Sequence, residues 1–221
     1  ARNGARGAQA AIKQSPAGSR RCFVTGSMGR KCGYLALMSG IATGAERVYL
    51  NEDGLTLAQL ARDSARMVES FRSGRDLYLV IRNERASVNY TTDVLPHIFA
   101  EEGKGLYDVR EAILGHQQQG GSPTAFDRIM ATKLVAHSLE LLACALKRGE
   151  PTASYVGLMG GKVSDQPRDR MNDDRDRDHR RPRHQWWLGL RPAVGLVSQD
   201  IGTLTLQDVP DFGEAVDDAA S

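Results

Sequence analysis

Leu77-Tyr78-Leu79-Val80-Ile81, followed at once by Arg82-Asn83-Glu84-Arg85, is the stretch on which the fold turns. Five consecutive apolar residues have the length of a strand, and the lack of polar alternation means that both faces of that strand are covered. Strands of this kind belong to parallel sheets with helices on either side. The polar run after Ile81 marks the strand's carboxyl end, where open α/β sheets hold their ligands.

The neighbouring segments continue the pattern. Arg21-Cys22-Phe23-Val24-Thr25 reads as a strand and residues 26–33 as a turn, with a largely apolar helix over 32–43. Residues 46–50 read as a short strand, and residues 56–71 carry the helical spacing of an amphipathic helix that Gly74 closes. Residues 91–102 read as a helix despite Pro96, 109–114 as a strand, 125–147 as a long helix and 155–159 as a further strand. In the long helix, positions 126, 129, 130, 134, 135, 139, 142 and 146 fall on one face. Strands alternating with helices give the expected class: α/β, an open, mainly parallel sheet with helices on both faces.

Composition narrows the function classes. The chain has 221 residues, 41% hydrophobic and 25% charged, the profile of an ordinary globular protein. No unbroken run approaches the ~18 apolar residues of a membrane span, so bilayer insertion is not expected. The start has no secretory pattern and no initiator Met, which reads as a processed or partial chain. Cys22, Cys32 and Cys144 are odd in number and lack metal-ligand spacing, so a cytoplasmic location without zinc or disulfides is expected. The 29 basic and 27 acidic residues nearly cancel, which gives no general field for nucleic acid. Arginine, the better fork for phosphate and carboxylate, dominates the cations; GC-rich coding would produce the same bias.

Residues 1–20 read as a disordered lead-in, 21–163 as the α/β domain, 164–183 as an Asp/Arg-rich loop, and 184–221 as a packing segment around Trp186-Trp187 with an acidic tail. Between Asp165 and Arg183 there are six Asp and seven Arg without apolar spacing, the composition of a solvated loop. An arginine-rich RNA-contacting segment is the alternative reading.

Common catalytic and nucleotide signatures are absent. Gly160-Gly161-Lys162 is followed by Val163, where a P-loop needs Ser or Thr, and Gly26-Ser27-Met28-Gly29 does not supply G-x-G-x-x-G. Three polar loops at strand carboxyl ends remain. Met28-Gly29-Arg30-Lys31 precedes an apolar helix, whose free N–H groups and Arg30 would suit an anion. Glu84 could accept hydrogen bonds from sugar hydroxyls. Arg110, with the loop Gly115-His116-Gln117-Gln118-Gln119-Gly120-Gly121, offers donors that suit a phosphate better than a metal. Together they describe a sugar phosphate held by Arg, His, Glu and a helix N-terminus. No catalytic base or metal site is identified.

At these residues the chain resembles the eukaryotic, particularly fungal, ATP-dependent 6-phosphofructokinases. The resemblance runs through MGRKCGYLALMSGIATGAERVYL, LVIRNERAS, YTTD, DVREAILGHQQQGG and SPTAFDRIMATKL, and resumes at HRRPRHQWWLGLRP, covering roughly residues 21–200. Asn83 before Glu84, Gln119 and the Trp-Trp end are similar to the second, regulatory half of the family's tandem. The resemblance implies an incomplete half-domain with a pocket for a fructose phosphate or bisphosphate effector. Met28, Gly29, Arg30 and Glu84 would bind the sugar, His116, Gln117, Gln118 and Gln119 a phosphate, and Arg180 would match the arginine before Trp-Trp. Arg21 and Arg110 would reach a neighbouring subunit's site, implying a homo- or hetero-oligomer. It also implies that ATP and Mg²⁺ are bound by parts of the family enzyme absent here, so that the chain alone is inactive. Thr25-Gly26-Ser27 departs from the family's apolar–Glu–apolar triplet, and the Gly is expected to weaken the strand. A non-catalytic sugar-phosphate-binding module is the runner-up reading.

Overall fold

Strand β1 (Arg21–Ser27) is hydrogen-bonded on both edges, to β3 (Leu77–Asn83) and to β4 (Asp108–Ile113), and with β2 (Arg47–Tyr49) these strands form a four-stranded parallel sheet in the order β2-β3-β1-β4. A computed structural model of the chain describes residues 2–13, 19–149 and 153–197. The two central strands bury six of their seven residues each, as their apolar runs require. The expected α/β class is the observed one. Strand β1 also continues unbroken through Thr25-Gly26-Ser27, where weakening was expected. A Cβ at position 26 would stand 3.1 Å from Thr92 Oγ1, so the small residue is filled by a neighbour.

Helices cover both faces. On one, α1 (Arg2–Lys13) and α7 (Arg191–Val197) pack against α2 (Tyr34–Thr43). Gly40 of α2 lets the helix lie against Val48, since a Cβ there would be 2.3 Å from the Val48 Cγ2. On the other, α3 (Leu57–Arg72) and α4 (Val94–Gly103) share a core with Cys22, Val24, Tyr78 and Val80. Thr56 caps α3, its side chain accepting from the Gln59 N–H at 3.2 Å, and Phe71 stacks on Tyr107 with ring centroids 4.4 Å apart. Pro96 falls in the first turn of α4, where N–H groups lack helical partners anyway.

Two readings of chain organisation need correction here. Residues 2–13 are helical rather than a disordered lead-in, and Ala8 is fully buried. Small residues allow that approach: a Cβ at Gly7 would lie 2.3 Å from Leu114 Cδ2. The Asp/Arg tract is likewise structured. Strand β5 (Ser154–Met159) pairs antiparallel with β6 (Lys162–Pro167) in a hairpin, followed by α6 (Arg170–Asp173) and a small β7 (Arg175–Asp176)–β8 (Arg181–Pro182) pair. Gly160 and Gly161 close the hairpin with φ of 52° and 74°, the left-handed pair that a tight hairpin turn demands. The tract's acids turn on their own neighbours: Asp176 accepts from the backbone N–H groups of Asp178 and His179 and pairs with the His179 ring.

The described residues fall into two compact units, one comprising residues up to 121 with 190–197, the other 122–189. In the second, α5 (Ala125–Arg148) is closed by a capping box between Thr124 and Asp127 and by Gly149 in the left-handed region. Its apolar face is largely exposed: Phe126, Ile129, Val135, Leu139, Leu142 and Leu146 are all open to solvent. By length and composition alone this helix could also cross a membrane. Scattered polar residues interrupt an apolar run without making a helix polar, so a count of unbroken runs does not detect this helix. The acidic tail expected at the carboxyl end lies outside the described residues.

Edge strand β2 is tied down by buried charge. Asp63 accepts from Arg47 Nε at 2.8 Å and Tyr49 Oη at 3.0 Å, while Glu46 accepts from the Leu79 N–H at 2.6 Å and from Arg75 at 3.0 Å. Burial raises the Glu46 carboxyl above its usual range against the opposing pull of those bonds. The folded chain therefore holds a proton that the unfolded chain releases. Glu46's contribution to stability is full below the ordinary glutamate value of about 4.3 and is lost as pH rises through its raised value. Urea midpoints measured against pH should show this loss in the native chain and a flatter profile in Glu46→Gln.

Candidate functional site

The parallel order places the carboxyl ends of β1, β3 and β4 side by side, and their loops are joined by hydrogen bonds. Glu84 extends from β3, its N–H donating to the Ser27 carbonyl at 2.8 Å. Its Oε1 accepts from the N–H groups of Gly29 at 3.1 Å and Arg30 at 2.5 Å. The Met28 N–H donates to Gln118 Oε1 at 2.6 Å, and Gln118 Nε2 reaches Ser27 Oγ at 3.3 Å. Gln118 sits in a 3₁₀ turn, Gly115–Gln119, anchored by the Leu114 N–H on the Gly26 carbonyl at 3.2 Å. Helix α1 braces this turn, with Asn3 donating to the carbonyls of Gln118 and Gly120.

Local backbone requirements explain the residues in the first loop. Gly29 has a φ of 144°, and a Cβ there would be 2.5 Å from the Cys32 carbonyl oxygen, so only glycine fits. Arg30 follows with φ 50°, a left-handed conformation held by the bond to Glu84. Asn83 stitches the loops further: its Nδ2 donates to the Cys32 carbonyl and its Oδ1 accepts from the Arg85 N–H, both at 3.1 Å.

The loop that carries Glu84 is shaped by Arg82, whose side chain is 1% exposed. Its guanidinium donates to the carbonyls of Tyr90 at 2.8 Å, Ser87 at 2.6 Å and Glu84 at 3.1 Å, and to Thr92 Oγ1 at 3.3 Å. Desolvation lowers its pKa, while the carboxylates of Asp93 and Glu84 act in the opposite direction.

Glu84, Met28, Gly29, Arg30 and the residues His116, Gln117, Gln118 and Gln119 thus share one end of the sheet. Their chemistry differs from the expectation in two respects. The loop amides proposed to receive an anion are already taken by Glu84 and Gln118. The N-terminus of α2 is also taken: the Gly33 N–H donates to both oxygens of the Glu52 carboxylate, at 2.9 and 3.0 Å. The backbone amides at this end are therefore engaged within the protein, and the groups that line the surface here are side chains. A cavity of about 390 Å³ opens here, lined by Lys31, Asn51, Glu84, Arg85, Ser87 and Thr91 among others. Met28, Arg30 and His116 are not among its lining residues.

The remaining expected positions lie elsewhere. Arg110 is not in the Gly115 loop: it pairs with Phe23 within β4, is exposed, and stands 3.8 Å from Asp108. Arg21 opens β1 at the amino end of the sheet, and its Nε is buried without a hydrogen-bond partner among the described residues. Arg180 belongs to the second unit, between β7 and β8, with φ 55°. Sequence reasoning passed over Glu52, Arg82 and Asn83 as site residues. Glu52 follows β2, so the same strand-end argument could have found it. The role of Arg82 had no signal, because an arginine at a strand end is read as solvated until its burial is known.

Fold and site together define an open α/β protein whose strand-end loops line a cavity with a carboxylate, two cations and several polar side chains. The phosphofructokinase family profile ("Phosphofructokinase") matches residues 1–142, a span that includes the helix Arg2–Lys13 read as a lead-in. The chain belongs to the phosphofructokinase family. It is 43% identical over 199 residues to an ATP-dependent 6-phosphofructokinase of Dictyostelium discoideum, covering 89% of this chain and 23% of that one. A muscle-type ATP-dependent 6-phosphofructokinase of Canis lupus familiaris is 39% identical over 199 residues, covering 85% of this chain and 25% of its own. The phosphofructokinase structure from Saccharomyces cerevisiae superposes with a TM-score of 0.79 at 32% identity, over 86% of this chain and 26% of that chain. A Pichia pastoris phosphofructokinase in the T-state superposes with a TM-score of 0.75 at 30% identity, over 89% and 24% of the two chains. The chain spans about a quarter of the length of the curated relatives it matches.

Two substitutions test the loop architecture. Arg82→Leu leaves buried carbonyls without a donor, at about 1–3 kcal/mol for each one unsatisfied, so unfolding free energy should drop by about 3–5 kcal/mol. Gly29→Ala should cost about 1–3 kcal/mol, because the Cys32 carbonyl must move. Urea denaturation of each variant measures both losses, and unchanged midpoints would show that these contacts do not hold the loops.

Proposed function

We propose that this chain contributes the sugar-phosphate and allosteric effector site of an ATP-dependent 6-phosphofructokinase, which converts fructose 6-phosphate to fructose 1,6-bisphosphate in glycolysis. The observation that carries this reading is the closure of three strand-end loops on one another through Glu84 and Gln118, beside a cavity holding both cations and hydroxyl partners. In Glu84, Oε1 is committed to the loop amides while Oε2 has no bond among the described residues and can accept from a sugar hydroxyl. Lys31 and Arg85 supply positive charge for a phosphate, and Ser87 and Thr91 supply hydroxyls. Met28, Gly29, Arg30 and the His116–Gln119 turn, bonded to Glu84 or to one another at the same end of the sheet, are assigned to the same ligand. Arg21 and Arg110, at other points of the sheet, are assigned to contacts with a second subunit.

Phosphoryl transfer by the family rests on positioning and charge neutralisation. Among the described residues no three His, Cys, Asp or Glu side chains stand together to hold a divalent ion. On the family resemblance ATP and Mg²⁺ are assigned to other parts of a phosphofructokinase subunit, and this chain is assigned binding and orientation, in the cytoplasm and within an oligomer.

Titration calorimetry of the full chain with a fructose bisphosphate tests the reading. Binding is expected, weakened about tenfold or more in Glu84→Ala through loss of a charged hydrogen-bond acceptor. Absence of heat at millimolar ligand, or equal affinity in the variant, would sink it. With ATP, Mg²⁺ and fructose 6-phosphate the same chain should give no phosphorylated product, and robust turnover would overturn the assignment of catalysis to other parts.

A further inference from the structure

The turn Gly115–Gln119, with Gly120 and Gly121 after it, carries the residues assigned above to a phosphate, and no residue of the turn is buried. Helix α1 follows it from one end to the other. Gly7 abuts the entry, where a Cβ would stand 2.3 Å from Leu114 Cδ2. Gly4 lies against the middle, since a Cβ there would be 3.2 Å from Gln118 Nε2 and 2.5 Å from Ser39 Oγ of α2. Asn3 holds the exit: its Nδ2 donates to the carbonyls of Gln118, at 3.0 Å, and of Gly120. The chain then passes Asn3 at Gly121, whose Cβ position is 3.3 Å from Asn3 Oδ1 and whose φ of 105° suits glycine alone.

These bonds decide which groups the turn offers. A phosphate presents acceptor oxygens, so it is drawn to N–H donors and repelled by carbonyls. In a trans peptide the C=O and the following N–H point in opposite directions. With the carbonyls of Gln118 and Gly120 drawn onto Asn3, the N–H groups of Gln119 and Gly121 point away from α1. The side chains divide in the same way. Gln118 is half-buried and spent on the Met28 N–H and Ser27 Oγ, while His116, Gln117 and Gln119 are exposed. Asn3 therefore bonds the backbone of the one residue whose side chain ties the turn to the Met28 loop. An amide has two donor hydrogens, one for each carbonyl, which a leucine of similar shape lacks.

We propose, resting on the reading of this turn as a phosphate contact, that Asn3 is its positioning residue. Its amide draws two carbonyls onto α1 and so presents the donor side of the turn, His116, Gln117, Gln119 and the Gly121 N–H, to the phosphate of a sugar phosphate. Asn3 touches no ligand itself and acts through the backbone of Gln118 and Gly120. Glu84, assigned to the sugar, is set by bonds to Gly29 and Arg30 in which Asn3 has no part. Helix α1 thus governs the phosphate end of the ligand and leaves the sugar end to β3.

Amide hydrogen exchange and titration calorimetry on the full chain test this. In Asn3→Leu, residues 116–121 should exchange about tenfold faster, while β1, β3 and α2 keep their native rates and so report an intact fold. Asn3→Ser, which keeps one donor, should fall between the two. Affinity for a fructose bisphosphate should drop about fivefold or more in Asn3→Leu. His116→Ala should weaken binding in the native chain but add little in Asn3→Leu, because a displaced turn no longer presents that side chain. A merely structural loss would instead let the two effects add in full. Native exchange at 116–121 in both variants, unchanged affinity in Asn3→Leu, or full additivity with His116→Ala overturns the proposal while the phosphate reading stands. No binding of fructose bisphosphate by the native chain overturns that reading, and the proposal with it.

Discussion

The guanidinium of Arg82 is the constraint on which the strand-end architecture depends. It is buried at the end of the most apolar strand, and a charge so placed is tolerable only where polar groups surround it. Three backbone carbonyls and the Thr92 hydroxyl do so, all from residues 84–92. The loop wraps its own strand end for that reason. Its wrapped form places Glu84 beneath the amides of Gly29 and Arg30, and Asn83 against the Cys32 carbonyl.

From this follows a closed set of loops. The amides that a glycine-rich turn would offer to an anion are satisfied internally by Glu84, Gln118 and Glu52, each a side chain from a different strand-end loop. Backbone groups satisfied in this way tie the loops to one another, so the groups that face the cavity are longer side chains. Loops tied in this way would lose less entropy on binding than loops that must first order.

Family membership sets the scale of what this chain contains. It spans about a quarter of the relatives it matches, and within that quarter the parallel sheet is covered on both faces. The second unit is different. Its long helix exposes Phe126, Ile129, Val135, Leu139, Leu142 and Leu146, a row of apolar side chains that the described residues leave in solvent. Runs of this size mark surfaces made for contact. The helical periodicity was read as helix, and helix is what forms; periodicity reports a face and not what covers it.

Legibility in the sequence followed the range of the interactions. Strands β1, β3 and β4 and helices α2 to α5 were readable within two or three residues, since apolar runs and helical spacing are local signals. The hairpin β5–β6 carried its signal in Gly160-Gly161, which was passed over because the charged residues after it matched a solvated loop. Helix α1 lacked any strong local signal: its glycines disfavour helix, and only contact with Leu114 and Ser39 accounts for them. By itself the sequence determined the class of fold, the loops at the strand carboxyl ends and the family, because these are written in runs, spacings and motifs. Tertiary structure decided which groups those loops had left to offer. Whether an amide, a carboxylate or an arginine is spent inside the protein depends on partners tens of residues away, and Arg82, Glu52 and Gln118 took their roles only once the strands stood side by side.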